Sequence, residues 1–146
     1  MGKIAFVFSG QGDQHPGMGK ELYEQYESAR NVFTLCERIR ENTIARCLHG
    51  TEEELMQTQN TQPCLFAVEL AAAAVLREHG IEPDVVAGFS LGEVAAATFS
   101  GLFDLETGFS LVCKRGNLMQ EASEKYDTSM AAVLKLSPET VNCQRR

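Results

Sequence analysis

Between Asp84 and Phe99 the chain passes from an apolar run into a helical one through Gly88-Phe89-Ser90-Leu91-Gly92. No other feature restricts the fold as much. Asp84-Val85-Val86-Ala87 reads as a short strand, and Val94 to Phe99 continues as a helix ended by Gly101. At such a strand-to-helix turn a Gly-x-Ser-x-Gly sequence pushes its serine out of the backbone. The small flanking residues let strand and helix approach each other. The helix start adds free N–H groups and the positive end of a dipole. Ser90 is therefore a candidate nucleophile. The N–H of Leu91 would face the oxyanion formed on a carbonyl that Ser90 attacks. A tight turn carrying an inert serine is the plainer alternative.

The flanking segments alternate strand and helix. Lys3 to Phe8 has the composition of a strand buried on both faces. Ser9 to Gly19 holds four glycines and a proline and reads as a loop. Helical patterns cover roughly residues 20–40, and Thr51-Glu52-Glu53-Glu54 is a capping box opening a short helix. Asn60-Thr61-Gln62-Pro63 opens a strong helix with proline in its first turn. Gly80 closes that helix, with His79 at the negative end of its dipole. Asp104 caps a helix over Leu105 to Lys125, in which Gly108 costs about 1 kcal/mol relative to alanine. Met130 to Leu136 reads as a third strand, and Ser137-Pro138-Glu139-Thr140 starts another helix. The alternation predicts an α/β fold with parallel pairing.

Two further segments carry candidate chemistry. Ser9-Gly10-Gln11-Gly12 follows the first strand, where a second oxyanion donor usually arises. The same loop is open to a phosphate-cradling reading or a purely structural one, although G-x-G-x-x-G and P-loop spacings are absent. Arg115 has Leu111, Val112, Leu118 and Met119 as its helical neighbours. It is thus expected on the apolar side, where a cation needs an anionic partner. Periodicity favours a structural carboxylate over a substrate carboxylate for that role, though guanidinium suits either.

Composition narrows the classes. The 146 residues suffice for one domain, and 44% hydrophobic with 23% charged residues is the balance of a globular protein. A net charge of −7 offers no footprint for nucleic acid. The longest apolar segment, Leu65 to Leu76, is broken by Glu69, so no membrane span is expected. No export signal is visible. The five cysteines lack metal-ligand spacing, which predicts reduced thiols in a cytoplasmic protein with no metal site.

Five ordered motifs together carry a resemblance. Phe6-Val7-Phe8-Ser9-Gly10-Gln11-Gly12, Thr61-Gln62-Pro63, Gly88-Phe89-Ser90-Leu91-Gly92-Glu93, Lys114-Arg115-Gly116-x-Leu118-Met119 and Met130-Ala131-Ala132-Val133-Leu134 occur in that order. They resemble the malonyl-CoA:acyl-carrier-protein transacylases of fatty acid synthesis and the related acyltransferase domains of polyketide synthases. The resemblance implies that Ser90 takes a malonyl group from coenzyme A as an ester. The backbone N–H groups of Gln11 and Leu91 would form the oxyanion hole. Arg115 would hold the malonyl carboxylate, and Gln62 would line the site. The acyl group would then pass to the phosphopantetheine thiol of acyl carrier protein. Malonyl-CoA enters as substrate, and no cofactor is implied.

Two departures qualify the match. The family places histidine before the nucleophile, and here Phe89 stands there. The family's catalytic histidine lies downstream of the serine, whereas His15, His49 and His79 all precede it. The resemblance also implies an α/β-hydrolase-like large subdomain, here residues 1–127. Residues 128–146 would enter a ferredoxin-like small subdomain. Family members are longer, and Asn142-Cys143-Gln144-Arg145-Arg146 does not continue a helix naturally. A truncated or frameshifted reading of a longer gene, inactive or very slow alone, is expected. An α/β-hydrolase-type esterase and a non-catalytic module binding acyl-CoA or carrier protein are the alternatives.

Overall fold

The computed structural model describes residues 2–126 together with Lys135, Ser137 and Thr140. Two strands, β1 (Ala5–Phe8) and β2 (Val85–Gly88), pair in parallel with Ala5 opposite Val85 and Phe8 opposite Gly88. Five helices run between them: α1 (Lys20–Gln25), α2 (Glu27–Ile39), α3 (Thr43–His49), α4 (Glu52–Met56) and α5 (Thr58–Glu78). After β2 come α6 (Leu91–Phe99) and α7 (Leu105–Lys125). The predicted α/β class with parallel pairing is what the chain adopts, with helix predominating. Most of the third strand and the boundary at residue 128 lie outside the described residues, while at the expected helix start the Ser137 hydroxyl accepts from Thr140 N–H at 3.4 Å.

Helix α5 is the centre of the structure, packed against α2, α6 and α7. Its buried residues occur on all sides of the axis, among them Leu65, Phe66, Ala67, Leu70 and Ala71. Phe33 of α2 and Phe109 of α7 are fully buried beside it, and Phe66 meets Phe109 at 5.9 Å between ring centroids. Burying one such aromatic side chain contributes about 2–3 kcal/mol. Leu91 and Ala95 of α6 join the same core.

Several boundaries follow the sequence chemistry directly. Thr51 accepts from the Glu54 N–H at 3.2 Å while the Glu54 carboxylate accepts from the Thr51 N–H at 2.9 Å, completing the capping box. Asp104 caps α7 by accepting from Thr107 N–H at 2.6 Å. Gly80 ends α5, with the N–H of Ile81 reaching back to the Leu76 carbonyl at 3.0 Å.

Two expectations need correction, and two readings are extended. β1 is buried on one face only, with Phe6 and Phe8 inward and Val7 76% exposed. Pro63 is not in the first turn of α5, because α5 begins five residues earlier at Thr58. The early start has its own support: Gln57 carbonyl accepts from both Asn60 and Thr61 N–H, and Gln120 accepts from Thr58 N–H at 3.1 Å. Helix α3 had no periodic signal strong enough to predict it. Gly108 is a packing requirement as well as a propensity cost, since a Cβ there would sit 2.1 Å from Thr98 Oγ1.

Candidate active site

The parallel pairing brings the ends of both strands, and the loops that follow them, to one edge of the sheet. Phe89 N–H donates to the Phe8 carbonyl at 3.1 Å, extending the pairing into the first residue of the elbow. The turn is then so tight that side chains are excluded. A Cβ on Gly88 would lie 2.1 Å from Gly92 backbone atoms, and one on Gly92 would lie 2.2 Å from the Phe8 carbonyl oxygen. Ser90 takes φ 56° and ψ −107°, which non-glycine residues rarely adopt. Such a conformation costs on the order of 1–3 kcal/mol and persists only where the surroundings enforce it. Here the Glu93 carboxylate accepts from Ser90 N–H at 3.2 Å, and Leu91 is anchored with its side chain fully buried. The strain argues against the inert-serine reading, because an ordinary turn would have relaxed it.

Arg115 reaches the serine from α7. Its Nη2 donates to Ser90 Oγ at 3.1 Å and its Nη1 donates to Gln62 Oε1 at 2.6 Å. Gln62 is fully buried in α5, and its Nε2 donates to Met119 Sδ at 3.1 Å. Gly116 makes this reach possible: a Cβ there would lie 3.1 Å from the Thr58 carbonyl oxygen and 3.2 Å from Gln59 Cα. The close approach of α7 to the first turns of α5 sets the adjacent Arg115 over Gln62. Among the described residues, the ion pairs are Lys20–Glu24 and Arg77–Glu82. Arg115 therefore has no carboxylate partner among them, and the structural salt bridge favoured by periodicity is not formed among the described residues. Its helical neighbours are also less enclosed than expected. Leu111, Leu118 and Met119 are exposed, although Val112 is buried, and with Val94 and Arg115 itself they line an open apolar groove of about 530 Å³.

Gln11 lies on the loop after β1, which presses against the elbow. A Cβ on Gly10 would fall 2.6 Å from Phe89 Cδ1. The Gln11 side chain donates to Thr58 Oγ1 at 3.1 Å. Neither the Gln11 N–H nor the Leu91 N–H has an acceptor among the described residues. Phe89 itself is 73% exposed and covers Gly10. The three histidines stay away from Ser90. His15 is exposed and bonds the Asp13 carbonyl, His49 is exposed on α3, and His79 bonds the Val75 carbonyl at 2.9 Å.

Sequence reasoning placed Ser9 on this loop but missed the bond of its side chain, and it missed Thr58 and Glu69 as parts of this region. Ser9 Oγ donates to Glu69 Oε1 at 2.8 Å. Burial pushes the Glu69 carboxyl up to about 7, against the lowering effect of the Ser9 hydrogen bond, and the Asp13 charge adds to the rise. The available signal was Glu69 itself, the acidic break in an otherwise apolar run.

Comparison with known proteins agrees with this geometry. A family model described as an acyl transferase domain matches residues 5–146. The chain is 40% identical over 142 residues to the malonyl CoA-acyl carrier protein transacylase of Bacillus subtilis strain 168, covering 97% of this chain and 45% of that protein. The crystal structure of the malonyl CoA-acyl carrier protein transacylase from Clostridium perfringens matches with a TM-score of 0.81 at 34% identity, over 97% of this chain and 45% of that one. A solved complex of a type II polyketide acyl-carrier protein with its malonyl-transacylase matches with a TM-score of 0.78 at 37% identity, over 83% of this chain and 40% of that one. The chain thus spans less than half the length of these relatives. A strained serine elbow, a guanidinium bonded to its hydroxyl and a match along nearly the whole chain lead to one assignment: the chain belongs to the acyl transferase domain family.

Proposed function

We propose that this chain carries the nucleophile and the acid-binding arginine of a malonyl-CoA:acyl-carrier-protein transacylase. The observation that carries the reading is Arg115, a cation bonded to the nucleophile's hydroxyl and to a buried amide, with no carboxylate partner among the described residues. A partly buried guanidinium without a counter-charge suits an incoming carboxylate, which it holds through two parallel hydrogen bonds. A malonyl thioester places such a carboxylate close to the carbonyl that Ser90 attacks.

The reaction runs in two halves. Ser90 Oγ bonds to the thioester carbon, and its proton passes to a base that is not among the described residues. The carbonyl oxygen becomes an oxyanion facing the Leu91 and Gln11 N–H groups. The C–S bond breaks, coenzyme A leaves as its thiol after taking a proton, and a malonyl ester remains on Ser90. The thiol of a carrier-protein phosphopantetheine then attacks this ester, and Ser90 regains its proton. The reading requires no metal or cofactor. It places the protein in the cytoplasm, and no helix among the described residues is long and apolar enough to cross a membrane. Residues 1–127 are read as the first segment of an α/β-hydrolase-like subdomain and residues 128–146 as the start of a ferredoxin-like one. The base would come from the further length that the relatives possess.

Intact-mass spectrometry after incubation with malonyl-CoA tests this, with imidazole added as an external base. A malonyl adduct is expected on the parent, none on Ser90→Ala, and a yield at least about tenfold lower on Arg115→Ala. An equal yield of acetyl adduct from acetyl-CoA overturns the role of Arg115. Absence of any adduct in the presence of imidazole overturns the reading.

A further inference from the structure

Glu69 is costly where it stands. It sits among apolar residues of α5 beside a cleft of about 360 Å³ that runs along β1. One carboxyl oxygen, Oε1, receives the Ser9 hydroxyl, while Oε2 is buried without a partner. Buried polar atoms are normally satisfied, and one left over needs a reason. An apolar residue would pack α5 against β1 at lower cost, so stability alone does not account for Glu69. What this carboxyl holds is Ser9.

Ser9 begins the loop that runs to α1, and its first residues, Ser9 to Gly12, are gripped from both sides. On the elbow side, a Cβ on Gly92 would lie 2.5 Å from the Ser9 carbonyl oxygen, so the two backbones touch. On the α5 side, Ser9 is tied to Glu69 and the Gln11 side chain is tied to Thr58. The Gln11 N–H lies between these two anchors. We propose that Glu69 is a positioning residue of the acyl-transfer site, which through the Ser9 hydroxyl holds the Ser9–Gly12 loop against the elbow and fixes the direction of the Gln11 N–H. The inference rests on the acyltransferase reading for the purpose of that N–H, but the clamp itself is a property of the fold.

The carboxyl's raised titration makes the clamp pH-dependent. Above about pH 7 Glu69 is a carboxylate and accepts the Ser9 hydroxyl with charge assistance, and below it the acceptor weakens. The charged group facing it is Asp13 of the same loop, while β1 and the neighbouring turns of α5 present apolar side chains.

Backbone nuclear magnetic resonance on the full chain tests the clamp without any need for turnover. In Ser9→Ala and Glu69→Ala, the Gln11 amide order parameter is expected to fall from about 0.85 to below about 0.6. In Glu69→Gln it stays at the parent value, because the carboxamide oxygen still accepts from Ser9. The Gln11 amide shift is expected to follow an inflection near pH 7 in the parent and to be flat in Glu69→Gln. An unchanged order parameter in the truncations, or an inflection that survives in Glu69→Gln, overturns the proposal. Should Glu69→Ala fail to fold, Ser9→Ala carries the first arm. Malonylation of Ser90 measured in the same samples separates the two readings. A clamp that behaves as stated in a parent that never acylates refutes acyl transfer alone. Acylation with an unaffected loop refutes the clamp alone.

Discussion

The two turns that follow the two strands perform related tasks by different means. The elbow after β2 spans a few residues, is strained at Ser90 and is fixed by contacts within itself and with the neighbouring strand: Gly88 against Gly92, Gly92 against Phe8, and Ser90 against Glu93. The loop after β1 is long and glycine-rich, and its fixed points lie on a helix distant in sequence, at Thr58 and Glu69. Backbone packing admits no adjustment, whereas side-chain tethers do. Ser90 is thus held rigidly, and the Ser9–Gly12 segment is held by bonds that can be weakened one at a time.

The largest effect expected from this contrast is Gly92→Ala. Its Cβ would meet backbone oxygens of Phe8 and Ser9 at 2.2 and 2.5 Å, and neither strand nor elbow can yield. A loss of more than about 3 kcal/mol in urea denaturation is expected. Retention of parent stability would show that the elbow is as adjustable as the loop. Gly10→Ala is the matched change on the loop. The nearest atom it meets is Phe89 Cδ1, in the ring of an exposed side chain, with the Phe89 carbonyl oxygen next at 3.1 Å. A cost of about 1 kcal/mol is expected, most of it removed in the Phe89→Ala background. Additive effects in that double-mutant cycle would break the comparison.

Smaller effects sharpen it. Ser9→Ala removes the hydroxyl that donates to Glu69 and leaves it only the Ser9 backbone, for an expected loss of about 1–3 kcal/mol by the same denaturation. The smallest is a pH effect. The Glu69 carboxyl rises from its ordinary 4.5 to about 7, so between these values the folded protein holds a proton that the unfolded chain releases. Its contribution to stability is therefore fully present below about 4.5 and is lost as pH rises through about 7. Glu69→Gln should flatten that part of the stability profile by on the order of 1–3 kcal/mol. An unchanged slope would mean that Glu69 titrates normally and leaves the loop's tether insensitive to pH.

Sequence and structure divide along the same line. The elbow, the capping box at Thr51, the cap at Asp104 and the stop at Gly80 were legible because each is decided within a few residues. Backbone geometry there selects glycine, serine or a carboxylate by local contact. Periodicity placed Arg115 off the polar face of its helix and favoured a structural carboxylate, whereas its partners among the described residues are Gln62 and Ser90. A helical wheel cannot show that Gly116 brings α7 onto the first turns of α5, with Gln62 and Ser90 within reach. The exposed face of β1 was illegible for a related reason, since four apolar residues look alike until their cover is known.

By itself the sequence determined the strand–turn–helix unit around Ser90, its candidacy as a nucleophile, several helix ends and the family resemblance. These depend on short-range backbone sterics and on ordered motifs. Only the tertiary structure decided that Arg115 lacks a carboxylate partner among the described residues, that Gln62 orients it, and that Glu69 ties down the Ser9 loop. Each of those facts joins groups separated by 53 to 60 positions in the chain. Contacts over such separations are set by how whole helices pack, and no local rule contains them.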